Sequence, residues 1–237
     1  MAVENIESNL ETSQPSHYLQ DTHPRARWVR ADTVRVIKRF FFCERALVLG
    51  KAGFLPRIAS FQIKTQLPRF IWHDSLTADA LRQRVFELRY PNRTVEHEGN
   101  DLPLVTLLGS LGQAPSAAAL LLCLGESVIP ALLDSYREYL NCSDSIADGP
   151  THRFLAQACA EKQEQLEAVR LWAKEELLRE PDLREEAVRW TTEFAEQLAD
   201  LGNIGAVVGT ALQIVKGNSG ASRMVSPRSG GSVPQAG

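Results

Sequence analysis

The chain has no C-x-x-C pair: its four cysteines, Cys43, Cys123, Cys142 and Cys159, stand far apart. Zinc-finger and zinc-ribbon spacing is therefore excluded, and the thiols read as small buried hydrophobes in a reducing compartment. An excess of one charge sign is also lacking. The 26 Lys and Arg residues against 29 Asp and Glu leave a formal net charge of −3. That removes the basic footprint of a nucleic-acid binder and the acidic block of a solvating tail. No window reaches ~18 uninterrupted apolar residues, the length a membrane span needs. The run from Ile204 to Val215 is shorter and holds two glycines. The first twenty residues lack a basic start and an apolar stretch, so they do not read as a secretory signal. The expectation is a cytoplasmic protein that engages neither nucleic acid nor membrane. Glycine-rich nucleotide loops, a G-x-S-x-G elbow and H-E-x-x-H are all missing, which excludes the commonest nucleotide, hydrolase and zinc-protease signatures.

What is present is helical periodicity between two polar ends. Residues 1–27 are polar, with Pro15 and Pro24, and residues 202–237 run into a Gly/Ser/Pro-rich stretch. Neither composition offers enough apolar surface to offset the entropy of ordering, so both are expected to be disordered tails around a domain at 28–201. Inside that domain the first helix is expected from Asp32 to Gly50, with Gly50 and Gly53 ending it. Its apolar stripe is Val34, Ile37, Phe41, Glu44 and Val48. A second helix spans about 57–89, kinked or restarted at Pro68. Its stripe is Ile71, Asp74, Thr77, Ala78, Leu81, Val85 and Leu88. A long crossover follows over 93–115, with a short helix near 102–111. The third helix, about 116–140, carries Ala119, Leu122, Glu126, Ile129, Leu133 and Tyr136 on one face. Pro130 lacks the amide that would bond the carbonyl of Glu126, which bends this helix beside the acid. Asp148-Gly149-Pro150-Thr151 opens a fourth helix to about Arg179, with Leu155, Ala158, Glu161, Gln165, Ala168 and Trp172 in line. A fifth covers 182–200. The core expected from these stripes is Phe41, Val48, Trp72, Leu81, Val85, Leu122, Leu133, Leu155 and Trp172.

Four helices thus each set an acid into an apolar row: Glu44, Asp74, Glu126 and Glu161, with Glu164 three residues beyond the last. A lone buried carboxylate costs several kcal/mol, and four suggest a shared compensator. Two compensators fit. One is a divalent metal, as in bundles where two helices give a Glu each and two give Glu-x-x-His. The other is ion pairing with nearby cations, for which Lys64, Arg84, Lys162 and Arg137 are placed. Thr77 and Glu164 stand where that metal plan has histidine, and an all-oxygen site favours magnesium, calcium or manganese over iron. His73, His97 and His152 are further candidate ligands that read equally as caps or surface groups. Cys43 beside Glu44 has no identifiable base and reads as structural.

Three segments, FFFCERALVLGKAGFLP, FIWHDSLTADALRQRVFELRYP and DGPTHRFLAQACAEKQEQLEAV, carry a family resemblance. With the pattern L-R-x-R-x-x-E-L-R on the second helix and D-x-P-T-x-R opening the fourth, the chain from Trp28 to Glu176 resembles the ferritin-like superfamily, in particular a bacterial branch of it. The resemblance implies an all-α, antiparallel four-helix bundle with a long crossover and an extra C-terminal helix. It also implies a dinuclear iron or manganese centre with Glu44, Asp74, Glu126, Glu161 and Glu164 as ligands. Two functions follow as expectations. One is a divalent-metal-binding oxidoreductase. The other is a non-catalytic helical scaffold that keeps the fold and binds a protein partner or a second copy of itself.

Overall fold

The computed structural model describes residues 30–89, 91–99 and 101–205, and among them every regular element is helical. The expected tails over 1–27 and nearly all of 202–237 lie outside the described residues.

Helix α1, Arg30–Phe54, is buried almost all round over its first half: residues 36–44 are buried in an unbroken run. A helix enclosed on every side belongs at the centre of a bundle. It does not stop at Gly50. A Cβ there would lie 3.1 Å from the Leu111 Cβ and 3.2 Å from the Leu108 carbonyl oxygen. Gly50 is therefore a point of close approach within the helix, where the crossover presses onto α1, rather than a terminator. A turn of 3-10 helix, Leu55–Arg57, leads into α2, Phe61–Arg89, which packs back along α1. Pro68 neither breaks nor restarts α2. Its missing amide costs only the bond to the Lys64 carbonyl, on a solvent-facing turn where water can serve that oxygen instead.

The crossover contains α3, Asp101–Gly109, and a 3-10 turn, Ser110–Gln113. His97 stacks on Phe42 with ring centroids 4.0 Å apart, and Asp101 binds Arg39 at 3.2 Å, tying this connection to α1. Ser116 caps α4, Ala117–Cys123, by accepting the Ala119 amide. A π-helical turn, Leu124–Val128, joins it to α5, Ile129–Cys142, in one continuous rod. The cause is Pro130: with no amide to close the α-helical ring on Glu126, the Ile129 amide reaches back to the Leu124 carbonyl instead. By length and composition alone the rod Ala117–Cys142 could cross a membrane, but 61% of its most apolar window is buried inside the fold. It serves as a core helix against α6, Gly149–Arg179, and α7, Arg184–Asp200.

Past α7 the chain turns through Gly202 (φ 80°) and Asn203 (φ 61°). The Asn203 amide closes on the Leu198 carbonyl, the bonding expected when a helix ends in left-handed residues. Ile204 is fully buried, and Arg39 donates to the carbonyls of Asn203 and Ile204 at 2.8 and 3.1 Å. The packed chain thus reaches Ile204, beyond the boundary at 201 expected from sequence.

Phe41, Leu81, Val85, Leu133, Leu155 and Trp172 are buried in one core; Leu122 is half-buried against a small second cluster of Ala118, Ala119 and Ala187, and Val48 is half-buried. Trp72 is not in the core: 61% of it is exposed. At ~100° per residue it lies about opposite Phe70, Asp74 and Leu81, which face inward.

Candidate functional site

At the centre of the bundle four ionisable side chains meet. Glu44 and Lys51 come from α1, seven residues apart and so on one face. Asp74 comes from α2, and Lys162 from α6. None is more than 1% exposed. The Lys162 ammonium lies between the two acids, donating to Glu44 Oε2 at 2.8 Å and to Asp74 Oδ1 at 2.6 Å. The Lys51 ammonium donates to Asp74 Oδ2 at 2.6 Å and to the Gln165 side-chain oxygen at 3.0 Å. Gln165 returns its amide to Asp74 Oδ1 at 2.7 Å. Tyr136, from α5, donates its hydroxyl to Glu44 Oε1 at 2.6 Å. Four helices therefore converge on a cluster of two lysines and two acids in which every carboxyl oxygen has a donor.

Electrostatics follow from burial and from this geometry. Desolvation pushes the Asp74 carboxyl up, but Lys162 and Lys51 together outweigh it and hold Asp74 well below the usual carboxylate range. Desolvation opposes charge on Lys162 too, yet Asp74 and Glu44 on either side raise it above an ordinary lysine. Glu44 is raised, with burial outweighing its one ammonium partner. Lys51, likewise, is lowered by burial. Asp74 and Lys162 are thus the pair whose charges the fold holds most firmly. Beside them burial pushes the Cys43 thiol up to about 12, so it stays protonated and inert as a nucleophile.

The remaining sequence-derived ligands lie elsewhere. Glu126 is on the outside of the π-helical turn, exposed and paired with Arg170 at 3.2 Å. Glu164 is exposed and paired with Arg69. Glu161 sits at the edge of α6 and accepts from Gln157 at 2.9 Å. On α6 the inward row runs through Leu155, Ala158, Lys162, Gln165, Val169 and Trp172. Its centre falls at Lys162, which leaves Glu161 about one helical step to the side. Thr77 is buried next to the cluster on α2 but makes no bond to it. Of the histidines, His97 stacks on Phe42 and His152 bonds Ser143 at 2.8 Å. The buried Nδ1 of His73 has no partner.

A dinuclear iron or manganese centre does not fit these residues. Among the described residues no three His, Cys, Asp or Glu side chains come together as a ligand set. The oxygens of Glu44 and Asp74 already accept from two ammonium groups, an amide and a phenol, and two ammonium charges neutralise the two acids. Of the cations available in the sequence, Lys162 fills this role. Its companions Lys51 and Tyr136 lie outside the sequence expectation, although Lys51, seven residues from Glu44, is legible as a same-face neighbour.

A second polar knot secures one end of the bundle. Arg84, in the L-R-x-R-x-x-E-L-R segment, donates to Asp148 at 2.7 Å and to Thr151 at 3.1 Å, both in the D-x-P-T-x-R segment. Thr151 and Tyr139 also donate to Asp148. The two sequence patterns that carried the resemblance therefore meet in space, locking α2 to the start of α6. Comparison with known family models, curated proteins and solved structures yields no match for this chain.

Proposed function

We propose that this chain is a non-catalytic helical scaffold of ferritin-like form, in which two lysines stand where a metal-binding relative would carry cations. The observation that carries this reading is the placement of the Lys51 and Lys162 ammonium groups against Glu44 and Asp74, at 2.6–2.8 Å. A charge-neutral, fully hydrogen-bonded cluster is a structural device: it fixes the register of four helices, and it leaves no oxygen free for a ligand. Support for the ferritin-like form comes from the α1–α2 hairpin, the crossover through α3, the α4–α5 rod with α6, and acids from α1 and α2 at the middle. An oxidoreductase reading is less well supported, because its other acids, Glu126, Glu161 and Glu164, are dispersed and a redox metal would have to displace two buried cations. Elemental analysis of the purified full chain tests the proposal. Substoichiometric iron, manganese and zinc is the expected result; one or two equivalents of a transition metal per chain would overturn it.

A further inference from the structure

The outer face of α2 is apolar where a bundle helix should be polar. Phe61 is 81% exposed, Trp72 61% and Leu76 49%, and Pro68 is exposed between them. At ~100° per residue these four side chains fall within an arc of about 80°, diametrically opposite the buried row Ile63, Leu67, Phe70, Asp74, Leu81 and Val85. Scattered exposed hydrophobes are ordinary, but four on one arc, broken only by Thr65 and with tryptophan among them, are the composition of an interface.

We infer that this face pairs with α2 of a second copy of the chain, antiparallel across a two-fold axis at Trp72. Such an interface is self-complementary, so each residue must suit the one that the axis places opposite. With Trp72 on the axis, Pro68 meets Leu76, Thr65 meets Asp79, and Phe61 at the end of the row lies over the stem of Gln83. The charges agree with that register. Lys64 lies on one flank of the row and Asp79 continues it past Leu76; both are exposed, neither enters an ion pair among the described residues, and the Lys64 ammonium reaches only the Pro56 carbonyl at 3.5 Å. Across the axis Lys64 of each copy comes within reach of Asp79 of the other, giving two ion pairs that bracket Pro68, Trp72 and Leu76. A parallel arrangement would instead set Lys64 against Lys64 and Asp79 against Asp79. The interface lies on the side of α2 away from the buried lysine cluster. It supplies the scaffold reading with a partner, and it stands or falls on oligomeric state rather than on metal content.

Sedimentation of the full 26.3 kDa chain over about 1–100 µM, the range where modest interfaces associate, tests the inference. The wild type is expected to be a dimer at the upper end. Trp72→Glu places two carboxylates on the axis and should give a monomer with an unchanged helical spectrum and melt, since Trp72 leaves the core untouched. Asp79→Lys alone should weaken dimerisation at least tenfold, and Asp79→Lys with Lys64→Glu should restore it. A wild type that stays monomeric throughout, or a dimer indifferent to both Trp72→Glu and Asp79→Lys, would overturn the inference.

Discussion

Replacing Lys162 by Met removes one charge from the centre of the bundle while nearly keeping the length and volume of the side chain. The cluster holds Glu44 and Asp74 against Lys51 and Lys162, so the variant carries a buried net charge of −1 where the wild type carries none. The two acids do not suffer equally. Asp74 keeps Lys51 and Gln165, whereas Glu44 loses its only cation and retains only the Tyr136 hydroxyl. Breaking a buried pair in this way costs about 3–5 kcal/mol. For a domain of this size, where one kcal/mol shifts the midpoint by ~2–4 °C, the melt should fall by about 6–20 °C. Denaturant unfolding followed by circular dichroism reads the loss directly. Adding Glu44→Gln to Lys162→Met should recover a large part of it, because the stranded charge disappears while Tyr136 keeps an acceptor. A Lys162→Met variant within ~1 kcal/mol of wild type, below even the usual net worth of a charge-assisted hydrogen bond, would refute the reasoning, as would a double variant no better than the single one.

Two further outcomes follow from the same geometry. Asp74 is depressed in the folded state, so its contribution is present above the unfolded carboxyl value of ~3.9 and is lost as pH falls below it. The stability gap between wild type and Asp74→Asn, measured in denaturant from neutral pH downward, should therefore be widest near neutrality and narrow below about pH 4; a gap that does not change with pH would contradict the assignment. At the end of the bundle, Arg84→Met leaves Asp148 with the Thr151 and Tyr139 hydroxyls, so its cost should be about 1–3 kcal/mol, smaller than that of Lys162→Met. The reverse ranking would mean that the end knot, not the central cluster, dominates.

Much of the fold was legible in the sequence because long amphipathic rows fix helices well. The opening of α6 at Gly149–Pro150 and the disturbance that Pro130 creates at Leu124–Val128 are both local chemistry, and both are visible in the chain alone. Gly50 reads as a terminator in the sequence because a glycine inside a helix and one ending it look alike until the crossover packs onto it. Trp72 was misplaced for a different reason: a large aromatic next to a core position attracts a core assignment, but it lies on the opposite side of α2. The site was half legible. Glu44 and Asp74 stand out as acids in apolar rows, and both are buried. Glu126 and Glu161 stand in similar rows, yet Glu161 falls at the edge of α6 and Glu126 on the outside of its helix, while Glu164, two residues past Lys162, lies on the far side of α6. Periodicity locates a face to within a residue or so, and that margin separates Glu161 from Lys162. Ammonium partners such as Lys51 were harder still to see, since lysines near a helix end ordinarily face water.

The central claim, that Lys51 and Lys162 neutralise Glu44 and Asp74 in place of an ion, is tested most directly by calorimetry of the full chain. The melt is recorded as purified, with excess chelator, and after addition of manganese or ferrous iron to the chelated protein. A bound ion that holds the fold adds stability of RT ln(1 + L/Kd), where L is the free ion concentration, so removing it must lower the midpoint. The account predicts one midpoint in all three conditions. A midpoint that drops with chelator and returns with metal would contradict it.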